Sequence, residues 1–367
     1  MNKIFYCVLP SFENYAGHEI EFIKYINRYA LSNNFKLKYI LPKNNKIKIS
    51  NRMLIIEPIK KNIGITEILK NIKNVFVNFL TLKKSMGKIQ KDDIIYIDCQ
   101  SFYFQLSLIL FFMTKIKTQL IMFWVRLKFN TISKRIIFNL FLKICKKKSF
   151  NKISILTENG NLNNYLFNEF RIKAQGIPSI HYIKIKKKKI KKKNFLLLCP
   201  GVYREEKYGE NLKEFIKNNN HKSLKLLISE DFMEKLDFKT NFKIEYFQKN
   251  LNNLEYIKYY EKSDIIILPY DPIKYKDRFS GMMYEAISCG KFVFISDKTL
   301  MADHLRKVGL SDLVVNNWEK LDYSNIVKIV NSSKIKKLIK INSINYLKNN
   351  NYKNFQKKFD EIINIKN

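Results

Sequence analysis

The stretch Ser263-Asp-Ile-Ile-Ile-Leu-Pro-Tyr-Asp-Pro-Ile-Lys-Tyr-Lys-Asp-Arg-Phe-Ser-Gly-Met-Met-Tyr-Glu-Ala-Ile-Ser-Cys-Gly-Lys-Phe-Val-Phe-Ile-Ser-Asp297 contains a strand, a polar loop, a helix and a second strand. The apolar run before Pro269 has the length and composition of a buried strand. Ser280-Gly281 then begins a helix, and a second apolar run follows Gly290. This order predicts a parallel sheet covered by helices, which is an α/β fold.

The same alternation extends in both directions along the chain. After residue 194 we predict strands at 195–199, 223–228, 243–247, 264–269 and 291–296, and helices at 209–218, 254–262, 281–289 and 300–308. Before it we predict strands at 4–9, 37–41, 53–58, 93–98, 119–125 and 153–157, with a helix after Gly17 between the first two. In such sheets ligands bind at the carboxyl ends of the strands.

The length of 367 residues predicts two domains of ordinary size. The run at 183–194 consists almost entirely of lysine and isoleucine and has little to bury. We therefore place domain boundaries at 1–183, a basic linker at 184–194, a second domain at 195–340 and terminal helices at 341–367. These last helices could return to the first domain. The resulting fold has two Rossmann-like, doubly wound domains that face a cleft.

The composition limits the partners and the compartment. A net charge of +36 would attract nucleic acid, anionic lipid or phosphorylated substrates, although the accompanying excess of Asn and Ile also fits the codon bias of an AT-rich genome. The five cysteines are isolated in sequence, which indicates neither a disulfide framework nor a zinc site. The start reads as a buried strand rather than a signal peptide. The longest apolar stretch, 102–113, is shorter than the about 20 residues of a membrane-spanning helix.

The loop and helix within 269–289 carry the clearest chemistry. The free N–H groups at Ser280 and Gly281 can bind an anion at the helix N-terminus, and Arg278 can add a bidentate contact to the same group. Glu285 accepts hydrogen bonds only, so it suits a pair of sugar hydroxyls better than a phosphate. Alternatively, Glu285 is an ordinary acid that complements the helix dipole.

This segment resembles the donor-site motif of GT-B-fold glycosyltransferases, in particular the large retaining family with the E-x7-E motif, known as family 4 or group 1. Phe279, Glu285, Ala286, Gly290 and Val293 fall in register with that motif, and Asp277 takes the place of its first Glu. Ser280 replaces a Gly, and Phe292 replaces a Pro. The resemblance implies that Glu285 contacts the donor ribose and that Asp277 orients the transferred sugar.

Two further stretches are similar to the same family. In the run 198–212, Gly201 lies in the loop after the strand, Lys207 falls on the lysine that neutralises the donor diphosphate, and Arg204 is near the position of the usual arginine. The run 247–256, which includes Asn250, is similar to the loop around the nucleotide base. The resemblance covers roughly residues 195–310 and implies that the second domain binds the nucleotide sugar and the first the acceptor.

The amino-terminal half matches this family only in layout. His18 and Glu19 follow a glycine before the first predicted helix, and Asp98 ends the fourth predicted strand. A histidine that bonds a sugar or takes a proton, and a carboxylate opposite the donor, would suit glycosyl transfer. Surface or capping roles for His18, Glu19, Asp98 and Glu158 are the alternative.

The sequence thus predicts a glycosyltransferase that moves a sugar from a nucleotide-diphosphate donor to a glycan or lipid-linked acceptor in surface polysaccharide or lipooligosaccharide synthesis. Retention follows from the resemblance alone. We expect neither a metal nor another cofactor, because Lys, Arg and helix ends can stabilise the leaving diphosphate. A non-catalytic protein that binds nucleic acid or another polyanion, a GT-B epimerase and a phosphorylase are the alternatives.

We expect a cytoplasmic protein, and the basic, apolar run 102–148 either docks on the inner membrane face or forms core helices with solvated lysines.

Overall fold

The computed structural model describes residues 3–12, 18–43, 52–55, 65–98, 101–114, 118, 120–126, 128–129, 131–147, 153–158, 160–179, 181, 183, 185, 194–236, 238–249 and 251–363. The chain divides into two compact units. The first contains Met1–Ser179 together with Tyr352–Asn367, and the second contains Ile180–Asn351. The basic run predicted as a linker falls almost wholly outside the described residues.

The first unit is built on a parallel sheet with strand order β3-β2-β1-β4-β5-β6-β7. Its strands are β1 (Ile4–Val8), β2 (Lys36–Pro42), β3 (Arg52–Ile55), β4 (Ile94–Asp98), β5 (Leu120–Trp124), β6 (Ile153–Thr157) and β7 (Gln175–Gly176). Its helices are α1 (His18–Ser32), α2 (Ile65–Met86), α3 (Phe102–Met113), α4 (Ile132–Lys147), α5 (Gly160–Phe170) and, from the end of the chain, α13 (Tyr352–Ile363).

The second unit is built on a parallel sheet with strand order β10-β9-β8-β11-β12-β13. Its strands are β8 (Phe195–Leu198), β9 (Leu224–Ser229), β10 (Lys243–Phe247), β11 (Ile265–Leu268), β12 (Phe292–Ser296) and β13 (Val314–Val315). Its α-helices are α6 (Glu205–Tyr208), α7 (Glu210–Asn218), α8 (Asn253–Lys262), α9 (Gly281–Cys289), α10 (Leu300–Lys307), α11 (Tyr323–Asn331) and α12 (Ser333–Asn349). Two 3₁₀ helices cover Glu230–Lys235 and Ser311–Leu313.

The strands form where apolar residues run without interruption. Every residue of β4, β5, β8, β11 and β12 is buried, as expected of parallel strands covered on both faces. The predicted strands are confirmed to within one or two residues at nearly every end. The strand predicted at 53–58 is observed over Arg52–Ile55, and residues 56–58 lie outside the described part of the chain. The short β7, β13 and α6 were not predicted.

The turn between α9 and β12 depends on a glycine. Gly290 has a φ of 65° and ends α9 in the left-handed conformation, while its N–H donates to the carbonyl oxygens of Ala286 and Ile287. Glycine adopts this conformation without the steric penalty that a side chain would bring. The helix can therefore end at this residue, and the next strand begins within two residues. The cap fixes where α9 stops beside the sheet.

Helix α13 packs within the first unit, far in sequence from the rest of that unit. Phe355 lies edge-to-face against Phe22 at 5.7 Å, and Phe359 lies 5.4 Å from Tyr29. The Tyr29 hydroxyl also donates to Asp360 Oδ1 across 2.8 Å. These contacts make the final helix part of the core of the first unit. Within the described ranges, no helix has both the length and the apolar composition that crossing a membrane requires.

Candidate functional site

Most of the predicted site residues lie at the carboxyl edge of the second sheet. The loop after β8 carries Gly201 and leads into α6, and the loop after β11 leads to the N-terminus of α9. Because β8 and β11 are hydrogen-bonded neighbours, these two loops emerge side by side. The fold therefore brings the residues between 200 and 208 close to those between 270 and 285.

Glu285 is the buried acid of this region. It lies on α9, is 9% exposed, and accepts hydrogen bonds at Oε2 from the Tyr256 hydroxyl at 2.7 Å and the Tyr260 hydroxyl at 3.1 Å. Burial raises the pKa of Glu285, and the opposing influences are the Tyr256 hydrogen bond, the charge of His181, the Tyr260 hydrogen bond and the charge of Lys207. The carboxylate is thus held in place by protein donors on one of its oxygens.

Lys207 is the partly buried cation of this region. Burial and, secondarily, the positive charges of Arg204 and Arg278 lower the pKa of its ammonium to about 8, against the opposing negative charges of Glu206 and Glu285. Its Nζ lies 3.9 Å from the Met282 sulfur and 5.8 Å from the centre of the Tyr270 ring. Across the described residues, no carboxylate lies within ion-pair distance of this nitrogen. The site therefore holds a positive charge that an anionic ligand would neutralise.

Gly201 allows the first loop to approach α9 closely. Its φ is 88°, and a Cβ at this position would lie 2.3 Å from Met282 Cε. The Met282 sulfur also contacts the Tyr208 hydroxyl at 3.9 Å and the Tyr270 hydroxyl at 3.2 Å. Met282 therefore fills the space between the glycine loop, Lys207 and the start of α9.

The N-terminus of α9 presents backbone donors. Ser280 is its N-cap residue, and no hydrogen bond from the first turn reaches the Ser280 side chain; its Oγ instead pairs with the Tyr270 hydroxyl at 3.1 Å. Gly281 is the first helical residue. Arg278 stacks over the Tyr275 ring at 5.0 Å, and Asp277 is half-buried in the preceding loop. Helix N–H groups and two nearby cations together make this end of α9 suited to an anion.

The first unit contains a separate charged cluster at the carboxyl edge of its own sheet. Asp98 ends β4, and its Oδ2 accepts from Arg126 Nη2 at 2.6 Å. Burial raises the pKa of Asp98, Arg126 opposes that rise, and the negative charge of Glu158 adds to it. The Arg126 guanidinium also lies 4.2 Å from the centre of the Trp124 ring. Asp98 is therefore a buried, paired carboxylate and not a solvated surface acid.

The predicted site residues thus separate into two groups. Gly201, Arg204, Lys207, Asp277, Arg278, Ser280, Gly281 and Glu285 belong to the second unit, and Asp98 and His18 to the first. His18 is the first residue of α1, and its side chain lies outside the described part of the structure, as does the whole of Asn250. In the chain as described, no group of three His, Cys, Asp or Glu residues could hold a metal ion.

Four residues of the site were missed. Tyr256 and Tyr260 on α8 hold Glu285, while Tyr270 and Met282 surround Lys207. The two α8 tyrosines are four residues apart and therefore share one helix face. This spacing is the feature of the sequence from which a shared contact of the two side chains could have been predicted. That signal indicates a common neighbour but does not identify it as Glu285.

No protein-family model matches the sequence, and no curated protein matches it. Among solved structures, the sucrose-phosphate synthase of Thermosynechococcus elongatus gives a TM-score of 0.66 at 11% identity, covering 99% of this chain and 98% of that chain. WaaG, described as a glycosyltransferase involved in lipopolysaccharide biosynthesis, gives 0.60 at 13% identity, covering 99% and 100%. The pneumococcal O-GlcNAc transferase GtfA, solved with UDP and GlcNAc, gives 0.60 at 10% identity, covering 99% of each chain.

These matches extend over essentially the whole chain and include both units. Together with the two parallel sheets and their flanking helices, they show that the chain has the GT-B fold. The predicted fold is therefore confirmed. The resemblance to the E-x7-E family in particular stays a prediction.

Proposed function

We propose that the protein is a glycosyltransferase that uses a nucleotide-diphosphate sugar. The observation that carries the proposal is the cationic cluster of Lys207, Arg204 and Arg278 beside the N-terminus of α9. Burial is the largest cause of the lowered pKa of Lys207, and repulsion from Arg204 and Arg278 adds to it, although Glu206 and Glu285 partly offset that repulsion. A diphosphate would relieve that repulsion and receive the helix N–H groups.

In the proposed mechanism the second unit holds the leaving group. Lys207 exchanges its contact with the Met282 sulfur for a phosphate oxygen, and Arg278 or Arg204 adds a second positive charge. As the bond between sugar and diphosphate breaks, negative charge grows on the departing phosphate, and these fixed cations stabilise it. The proposal needs neither a metal nor another cofactor for this step.

Glu285 is proposed to bind the donor ribose. Its Oε2 is held by two tyrosine hydroxyls, so the orientation of the carboxylate is set before the donor arrives. Asp277, in the loop that precedes α9, is proposed to orient the transferred sugar. Both roles, and retention of configuration, are carried over from the resemblance to the E-x7-E family.

The acceptor side of the proposal rests on the first unit. Asp98, paired with Arg126, is the buried carboxylate available there to bond a sugar hydroxyl, and His18 is the second candidate. Two similar structures support this class of substrates: GtfA was solved with UDP and GlcNAc, and WaaG is described as acting in lipopolysaccharide biosynthesis. We propose a glycan or lipid-linked acceptor of a surface polysaccharide or lipooligosaccharide on this basis.

Calorimetric titration with UDP, GDP, ADP, CMP and TDP tests the donor site directly. We expect one nucleotide to bind selectively and both Glu285→Ala and Lys207→Met to weaken it, while Lys217→Met, a lysine change elsewhere in the second unit, leaves the affinity unchanged. Equal, salt-sensitive binding of all nucleotides would instead favour a polyanion-binding protein. Turnover of a nucleotide sugar without any acceptor would favour an epimerase.

A further inference from the structure

The outer face of α2 is apolar although it is exposed. Ile68, Leu69, Ile72, Phe76 and Leu80 are each between 44% and 61% exposed. Four of them are spaced four residues apart, so they form a continuous row along the helix. The opposite side of α2 supplies the buried contacts of the unit, including Val75, Leu82 and Met86. The helix therefore has an apolar side in the core and a second apolar side in solvent.

The neighbouring helices extend this surface. Helix α3 packs against both α2 and α4, so the three helices form one layer on the sheet. On α4 the exposed residues Ile132, Ile136 and Leu140 repeat the same four-residue spacing, and Met113 is exposed at the end of α3. Single exposed apolar side chains are common on proteins, but nine of them on three helices of one layer are more than such scattered residues, and clustered apolar exposure marks interaction sites. We call this set the apolar face.

Basic residues lie among these apolar side chains. Lys70, Lys73, Lys83 and Lys84 are exposed on α2, and Lys143 and Lys146 are exposed on α4, while Arg135 on α4 is already paired with Glu169 at 2.9 Å. Glu67 is the one acidic residue within the described spans of the three helices. The apolar face therefore combines aliphatic side chains with a strongly positive charge.

We propose that the apolar face docks on the surface of an anionic lipid bilayer. A second copy of the chain would bring lysines against lysines, and each copy carries a net charge of +36. A nucleic acid would satisfy the lysines but leave Leu69, Phe76 and Leu80 in water. Anionic lipid satisfies both sets, because the apolar side chains enter the boundary between headgroups and acyl chains while the lysines reach the headgroups.

In this arrangement α2 lies along the bilayer surface. Its lysines extend their methylene stems over the apolar row and place their charges at the headgroups. Each basic residue near anionic lipid strengthens binding about fivefold, so the attraction is cumulative and depends on salt. For the run 102–148 the sequence left open a membrane-docking surface or core helices. Helix α3 in that run is mostly buried, and α2, which precedes the run, carries five of the nine residues of the apolar face.

Vesicle sedimentation of the full chain tests the proposal. We expect binding to vesicles of phosphatidylglycerol and phosphatidylcholine in equal parts, weakening as salt is raised, and little binding to phosphatidylcholine alone. The variant L69E/F76E/L80E should lower the partition coefficient by on the order of a hundredfold, because three apolar contacts are lost and three repelling charges are gained.

The matched control is L31E/I341E/I344E, which introduces the same charges at exposed apolar positions that do not belong to the apolar face. It should retain most of the vesicle binding. Circular dichroism and nucleotide titration establish that both variants are folded, and neither readout depends on lipid. Equal loss in the two variants, or no vesicle binding by the unaltered chain, would overturn the proposal. A dimer in light scattering that L69E/F76E/L80E converts to monomer, without vesicle binding, would assign the face to a second copy.

Discussion

The Tyr256 hydroxyl donates to Glu285 Oε2 across 2.7 Å, so a hydrogen bond between α8 and α9 restrains the buried acid of the second unit. Tyr260, one helical turn further along α8, donates to the same oxygen. Both bonds favour the ionised carboxylate and oppose the effect of burial, which raises its pKa. The charge of Glu285 therefore depends on α8 as well as on α9.

Replacing both tyrosines with phenylalanine should raise the pKa of Glu285 further. Ionised Glu285 is the form proposed to bind the ribose, so nucleotide affinity should fall as this carboxylate is protonated. Y256F/Y260F removes two hydrogen bonds to the charged form and should therefore move this fall in affinity to higher pH. The measurement is a calorimetric titration repeated at several pH values. A purely structural role for the tyrosines would lower the affinity equally at every pH.

Tyr259 provides the matched control for that experiment. It lies on the same helix but packs against Phe247 at 5.1 Å. Y259F removes the same atom from α8 and should leave the pH profile of nucleotide binding in place. A second control, Glu285→Gln, should remove the acid limb, because no carboxylate is left to titrate there.

The lowered pKa of Lys207 predicts a basic limb in donor binding. Above about pH 8 the free protein increasingly carries a neutral Lys207, so binding a diphosphate then requires uptake of a proton. Nucleotide affinity should therefore fall by up to about tenfold per pH unit above that pH, on the other side of the optimum from the acid limb of Glu285. In K207M the affinity should be lower throughout and the basic limb absent. A basic limb that persists in K207M would assign it to another group.

Gly201→Ala should destabilise the second unit and weaken nucleotide binding. At a φ of 88° a side chain costs roughly 1–2 kcal/mol, and the new Cβ would also displace the end of Met282 beside Lys207. A decrease in Tm of several degrees is expected, at about 2–4 °C per kcal/mol. Gly160→Ala is the control, since a Cβ there meets no atom within 4 Å. Equal Tm values for the two variants would contradict the assignment.

Arg126→Gln should make the stability of the first unit depend on pH. The variant leaves Asp98 buried without its ion-pair partner, at a cost of up to about 3 kcal/mol when the carboxylate is charged. The pKa of Asp98 is higher in the folded chain than in the unfolded chain. The free energy of unfolding therefore falls as pH rises from the unfolded pKa to the folded pKa. Loss of Arg126 raises the folded pKa further and so widens this pH interval. The decrease in Tm should be greater at pH 8 than at pH 5. With Asp98→Asn added, the difference between the two pH values should disappear.

The sequence allowed the sheets and part of the site to be predicted, for a physical reason. Parallel strands buried on both faces must be uninterrupted apolar runs, so β4, β5, β11 and β12 are visible directly. Gly201 and Lys207 were predicted from the resemblance of the run 198–212 to the E-x7-E family, and Glu285 from its position one turn inside a helix together with the same resemblance. These features are local and need no knowledge of what packs against them.

The features that escaped prediction depend on contacts between distant residues. Tyr256 and Glu285 are 29 residues apart, and a tyrosine on a helix is more often a core residue than a carboxylate partner. The apolar face was missed in part because exposed and buried leucines are alike in sequence. Without the layer formed by α2, α3 and α4, the two apolar sides of α2 cannot be told apart.

Helix α13 sets an order of events during synthesis of the chain. Its phenylalanines complete the core around Phe22 and Tyr29, yet they are made only after the whole of Ile180–Asn351. The second unit can thus reach its native state on the ribosome while the first still exposes the place of its last helix. A premature stop just after Asn351 would therefore damage the unit that was translated first, and a chaperone that shields nascent chains should be retained longest at Phe22.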